Sequence, residues 1–146
     1  MEVQILITAS FNCDETCKWF RTIFGEDPPF FEDEVPEKHR TMFSASEDIS
    51  PPDELVGLSK KKLLLTWLLD SSWDEDVIEI GKALQSSGAS NVIGYYWFDE
   101  EEGFFRLSNK LSSINDWRSL ITKHNIKKTD HNFNWVKKVF TLIEKE

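Results

Sequence analysis

The sequence predicts one α+β domain: a split β-α-β, ferredoxin-like antiparallel sheet, extended by a β-hairpin and followed by C-terminal helices. Three observations predict it. The 146 residues are 40% hydrophobic, with 11 Phe and 6 Trp, enough for a core that needs neither disulfide nor metal. Period-two and helical patterns follow one another as strand, helix, strand, strand, helix, strand, strand, helix, helix. The first six of these match the split β-α-β arrangement. No repeat, low-complexity tract or composition break divides the chain, so residues 1–146 read as a single domain.

Residues 3–9 alternate, with Val3, Ile5, Ile7 and Ala9 on one face and Gln4 and Thr8 on the other, which reads as a half-buried strand. Asn12 is placed to cap the next helix, with Glu15 three residues on as reciprocal partner. That helix carries Cys13, Thr16, Cys17, Phe20, Ile23 and Phe24 at helical spacing, and Gly25 marks its end. Residues 26–36 and 47–58 read as loops rich in proline and acid, with a short strand over residues 40–45 between them. Residues 63–69 are apolar on both faces and read as a central strand.

Ser72, Trp73, Asp74 and Glu75 form a capping-box pattern. It opens a helix carrying Val77, Ile80, Ala83 and Leu84 that stops at Gly88. Residues 92–98 read as a strand, 99–103 as a turn and 104–111 as the returning strand. On that strand Phe105, Leu107 and Leu111 point one way and Arg106, Ser108 and Lys110 the other, a pattern suited to an edge. Residues 115–124 read as a helix with Trp117, Leu120 and Ile121. Asp130 begins a final helix carrying Phe133, Val136, Val139, Phe140 and Ile143.

The net charge of −9 is unevenly spread. Up to Glu102 there are 22 acidic and 8 basic residues, a balance of −14; from Gly103 on there are 4 and 9, a balance of +5. An acidic body argues against nucleic-acid binding, because phosphate contact needs Lys and Arg. It fits a basic protein partner, although solubility alone would also account for it. The longest apolar run, residues 63–69, is far short of the roughly 20 residues of a membrane span. The chain opens Met1-Glu2, without the basic region of a signal peptide. Cys13 and Cys17 are too few for a disulfide framework and are not spaced as a redox or zinc pair. The expected location is cytoplasmic.

Signatures of chemistry are missing. His39, His124 and His131 have no second ligand at metal spacing, and no phosphate-binding glycine loop or nucleophile elbow occurs. Acid runs lie in residues 26–37, 70–79 and 99–102. Asp74, Glu75 and Asp76 are explained by the helix dipole. No catalytic residue, metal or cofactor is expected.

The most unusual segment is Gly94-Tyr95-Tyr96-Trp97-Phe98. Alternation sends Tyr96 and Phe98 to one face and Tyr95 and Trp97 to the other, which is either covered by the C-terminal helices or open as an aromatic platform. The expected partner-binding residues are therefore Asp99, Glu100, Glu101 and Glu102, with Tyr95 and Trp97 beside them, and Phe30, Phe31, Glu32, Asp33 and Glu34 in the first loop. The function expected from these features is an acidic protein-binding inhibitor, of the immunity-protein or antitoxin kind, neutralising a cognate basic, nuclease-type toxin. The alternatives are a phage-type inhibitor of a defence enzyme, a regulatory or scaffold subunit, and a small enzyme without a recognisable motif. The sequence does not set the oligomeric state.

Overall fold

Strand β1 (Val3–Phe11) is the spine of the molecule. In the computed structural model, which describes residues 1–128 and 133–145, it pairs antiparallel with β3 (Lys62–Leu69) on one side and β4 (Ala89–Phe98) on the other. Strand β2 (Glu54–Ser59) lies outside β3, and β5 (Glu101–Leu107) and β6 (Leu111–Ile114) continue beyond β4. The result is a six-stranded antiparallel sheet of order β2-β3-β1-β4-β5-β6. The described residues add five α-helices: α1 (Asp14–Ile23), α2 (Arg40–Ser46), α3 (Trp73–Ser86), α4 (Trp117–Lys123) and α5 (Asn134–Glu144). The fold is α+β, as the alternating patterns predict.

Both faces of the sheet are covered, so there are two cores. On one face Val3, Ile5, Ile7, Leu63, Leu65, Trp67 and Phe105 pack with Cys17, Phe20 and Ile23 of α1, Met42 of α2 and Val77, Ile80 and Leu84 of α3. On the other, Leu6, Leu64, Ile93, Tyr95 and Phe104 pack with Trp117 and Leu120 of α4 and Trp135, Val136, Val139, Phe140 and Ile143 of α5. Strand β1 is therefore buried on both sides, Leu6 and Thr8 included, rather than half-buried.

Several boundaries differ from the sequence reading. Residues 40–45 lie in helix α2, not in a strand: Met42 and Ala45 are buried three positions apart, and Arg40 Nε donates to the Val35 carbonyl at 3.1 Å where the helix begins. The second strand is instead β2, which takes up the end of the stretch 47–58 read as a loop and runs on to Ser59. The returning strand ends at Leu107, and β6 is the sheet edge. Arg106 belongs under α5, donating to the Ile143 carbonyl at 3.1 Å. Cys13, not Asn12, is the N-cap of α1, and its thiol is exposed, whereas Cys17 is buried. Ser72 is the N-cap of α3, but its hydroxyl donates to Asp70 Oδ1 at 2.7 Å, so the capping box does not form. Gly88, at φ 92°, follows the end of α3 in the left-handed conformation expected of a helix stop. The start of the last helix at Asp130, and His131, lie outside the described residues.

Candidate partner-binding surface

Residues 30–34 form a projection built from two rings and three carboxylates. Phe30 is 89% exposed and Phe31 68%. Glu32–Glu34 is one turn of 3₁₀ helix. The Phe31 N–H donates to Glu34 Oε2 at 3.1 Å, and the Glu34 and Val35 N–H groups donate to the carbonyls of Phe31 and Glu32 at 3.1 and 3.0 Å. Glu34 thus spends one carboxylate oxygen closing its own turn, while the side chains of Glu32 and Asp33 remain on the surface. Val35 is buried in the first core and pins the base of the projection. Pro28 and Pro29, which lead into the projection, line a groove of about 890 Å³ together with, among others, Phe24, Phe43, Pro52 and Leu55; residues 30–34 themselves do not line it. Two adjacent phenylalanines left this exposed on an ordered turn are a feature that folding alone does not favour.

The acidic hairpin divides into different parts. Asp99 and Glu100 alone form the turn, with Asp99 in the left-handed region at φ 50°. Glu101 pairs with Phe98 and Glu102 with Trp97, so these two carboxylates fall on opposite faces of the sheet. Glu101 is exposed. Glu102 is largely covered: it pairs with the Lys128 ammonium and accepts the Tyr95 hydroxyl at 2.6 Å.

Tyr95 lies in the second core, with Phe104 at 5.0 Å between ring centroids and Trp135 edge-on at 5.4 Å. Burial, and then its bond to the Glu102 carboxylate, push the Tyr95 phenol far above its ordinary pKa. The platform face is therefore covered by α5. Tyr95 and Glu102 hold the interior together and are withdrawn from the surface where the sequence placed them. Trp97 stays at the margin, 37% exposed and edge-on to Phe133 at 6.2 Å. Its cross-strand neighbours on this face are Gln4 and then the exposed Leu68.

A second polar cluster, not anticipated from the sequence, sits at the first turn of α1. Lys38 Nζ bonds Glu15 Oε2 at 2.7 Å, which holds the Glu15 carboxyl below its usual range and raises the Lys38 ammonium. His39 is buried and stacked on Trp19 at 6.3 Å, with Nε2 3.8 Å from Glu15 Oε1. The Cys13 thiol, 3.1 Å from the Thr16 hydroxyl, is lowered by that bond. No local pattern announces this grouping, since its members come from two segments more than 20 residues apart.

Among the described residues, no three His, Cys, Asp or Glu side chains are grouped to hold a metal ion, and no helix is long and apolar enough to cross a membrane. The surface that remains from the sequence-predicted set is Phe30, Phe31, Glu32, Asp33 and Glu34 on the projection, and Trp97, Asp99, Glu100 and Glu101 at the hairpin. No family model, no curated protein and no solved structure matches this chain.

Proposed function

We propose that the chain acts by binding a basic protein and blocking it, in the manner of an immunity protein or antitoxin that neutralises a nuclease-type toxin in the cytoplasm. The observation that carries this reading is the exposed Phe30–Phe31 pair bordered by Glu32, Asp33 and Glu34. Burying each ring against a partner is worth about 1.5–3 kcal/mol. The carboxylates around the rings would meet Lys and Arg on the partner and speed its approach. The balance of −14 up to Glu102 supplies the wider field.

The test is capture from the native lysate with the wild-type chain and with the double variant Phe30→Ser/Phe31→Ser. The wild type is expected to recover a basic protein that is inactive in the complex and regains nuclease activity on release. The variant is expected to lose it while melting at the same temperature. Equal recovery by both chains, or a partner fully active while bound, would overturn the reading. A captured defence enzyme would transfer the same surface to a phage-type inhibitor.

A further inference from the structure

The two edges of the sheet are unlike. The β6 edge is only four residues long. The β2 edge runs for six, Glu54-Leu55-Val56-Gly57-Leu58-Ser59, and only Leu55 is more than marginally covered. Val56 is 42% exposed and Leu58 38%. Edge strands present outward-pointing N–H and C=O groups to any strand that can pair with them. Proteins commonly blunt such edges with a charge, a proline or a bulge; β2 has no charge or proline between Leu55 and Ser59, and its one register shift, between Gly57 and Ser59, leaves Glu54 to Gly57 regularly paired with β3.

The charges stand at its ends instead, and they are opposite. Asp53 and Glu54 precede the aliphatic stretch; Lys60 and Lys61 follow it. This arrangement is self-complementary in one direction only. If two copies of β2 run antiparallel, centred on Gly57, Asp53 and Glu54 of each copy come beside Lys61 and Lys60 of the other. The aliphatic residues then meet one another across the pair. A parallel pairing would set acid beside acid and lysine beside lysine, which is unfavourable.

We propose that β2 is a homodimer interface: a second copy of this chain adds its β2 antiparallel, and one sheet runs through both molecules. The occupant is specified by charge, since a partner strand must itself be acidic at its start and basic at its end, as this strand is. A twofold pairing satisfies both ends at once. The surface uses none of the residues at positions 30–34, so it stands or falls apart from the proposed inhibitory role.

The experiment is sedimentation of the full chain over a concentration series, with thermal melts to confirm that each variant is folded. Wild type is expected to move from monomer to dimer mass. Asp53→Lys/Glu54→Lys and Lys60→Glu/Lys61→Glu are each expected to weaken the dimer about 10–100-fold, because each sets like charges opposite at both ends. An equimolar mixture of the two is expected to restore dimer, since one chain is then basic at both ends and the other acidic at both. Val56→Lys is expected to abolish dimer in every combination. A wild type that stays monomeric throughout would overturn the proposal. So would a dimer that survives both charge reversals, or folded variants that fail to pair when mixed.

Discussion

At the scale of single residues, Glu102 separates from its acidic neighbours. Four consecutive carboxylates look equivalent in sequence, yet strand alternation points one of them under α5, where Tyr95 and Lys128 use it. Replacing Glu102 by Ala leaves the buried Tyr95 hydroxyl without its acceptor, so a loss of about 1–3 kcal/mol is expected in denaturant unfolding. Glu100→Ala and Glu101→Ala are expected to change stability by less than about 0.5 kcal/mol. Equal effects at all three positions would show that Glu102 is not built into the fold.

Tyr95 makes a second measurement available. Its raised pKa means that the folded chain keeps the phenolic proton while the unfolded chain releases it near pH 10. The associated stabilisation is complete below about pH 10 and is lost as pH rises beyond it. The chain has two tyrosines, so Tyr96→Phe leaves Tyr95 as the only one. In that variant, phenolate absorbance is expected to appear only together with unfolding. Reversible ionisation near pH 10 in the folded state would place the hydroxyl in water. The acid run was legible in the sequence, but this role was not, because Lys128 lies 26 residues away and meets Glu102 only in the folded chain.

At the scale of elements, legibility followed burial. Helix α3 and strand β4 were readable because each carries a full pattern set by the core it faces: Val77, Ile80 and Leu84 on the helix, Val92 to Phe98 on the strand. Strand β2 was not, because all of it except Leu55 is exposed, so no buried face imposes alternation, and its Leu, Val, Gly, Leu run reads as loop beside Pro51 and Pro52. Residues 40–45 misled in the other direction. In so short a segment, Met42 and Ala45 satisfy helical spacing while the letters between them also suit a strand.

Two apparently scattered glycines acquire a purpose only from the register. Gly94 faces Phe105 across the β4–β5 pair and Gly103 faces Tyr96. A Cβ at Gly94 would lie 2.1 Å from the Phe105 ring, and one at Gly103 2.6 Å from the Tyr96 ring. The aromatic rings fill the space that the glycines leave, which fixes the pairing of this hairpin. The sequence left open whether the second face of β4 is covered. Helix α5 covers it, and its C-terminal end is tied down by Lys62 to Glu144 at 2.6 Å and by Arg106 to the Ile143 carbonyl.

At the scale of the whole molecule, the charge division along the chain becomes a division across the sheet. Helix α3, with Asp74, Glu75, Asp76 and Glu79, packs on one face with the segment that carries Glu32, Asp33 and Glu34. Helices α4 and α5, with Arg118, Lys123, Lys137 and Lys138, pack on the other. A molecule so polarised has a preferred orientation in the field of a basic partner, and the projection at residues 30–34 leads on the acidic side. Long-range charge and short-range ring burial act on different rate constants, so the proposed function separates them. With the captured partner in hand, Glu32→Ser/Asp33→Ser/Glu34→Ser is expected to slow association about tenfold at low salt and to flatten its salt dependence, with dissociation little changed. Phe30→Ala/Phe31→Ala is expected to leave association nearly intact and to speed dissociation about 10–100-fold, as the loss of a central aromatic anchor does. Surface-resonance kinetics at two salt concentrations read both constants. An acid variant whose association rate and salt slope match the wild type would remove steering from the mechanism, and ring variants with unchanged dissociation would move the contact away from residues 30–34.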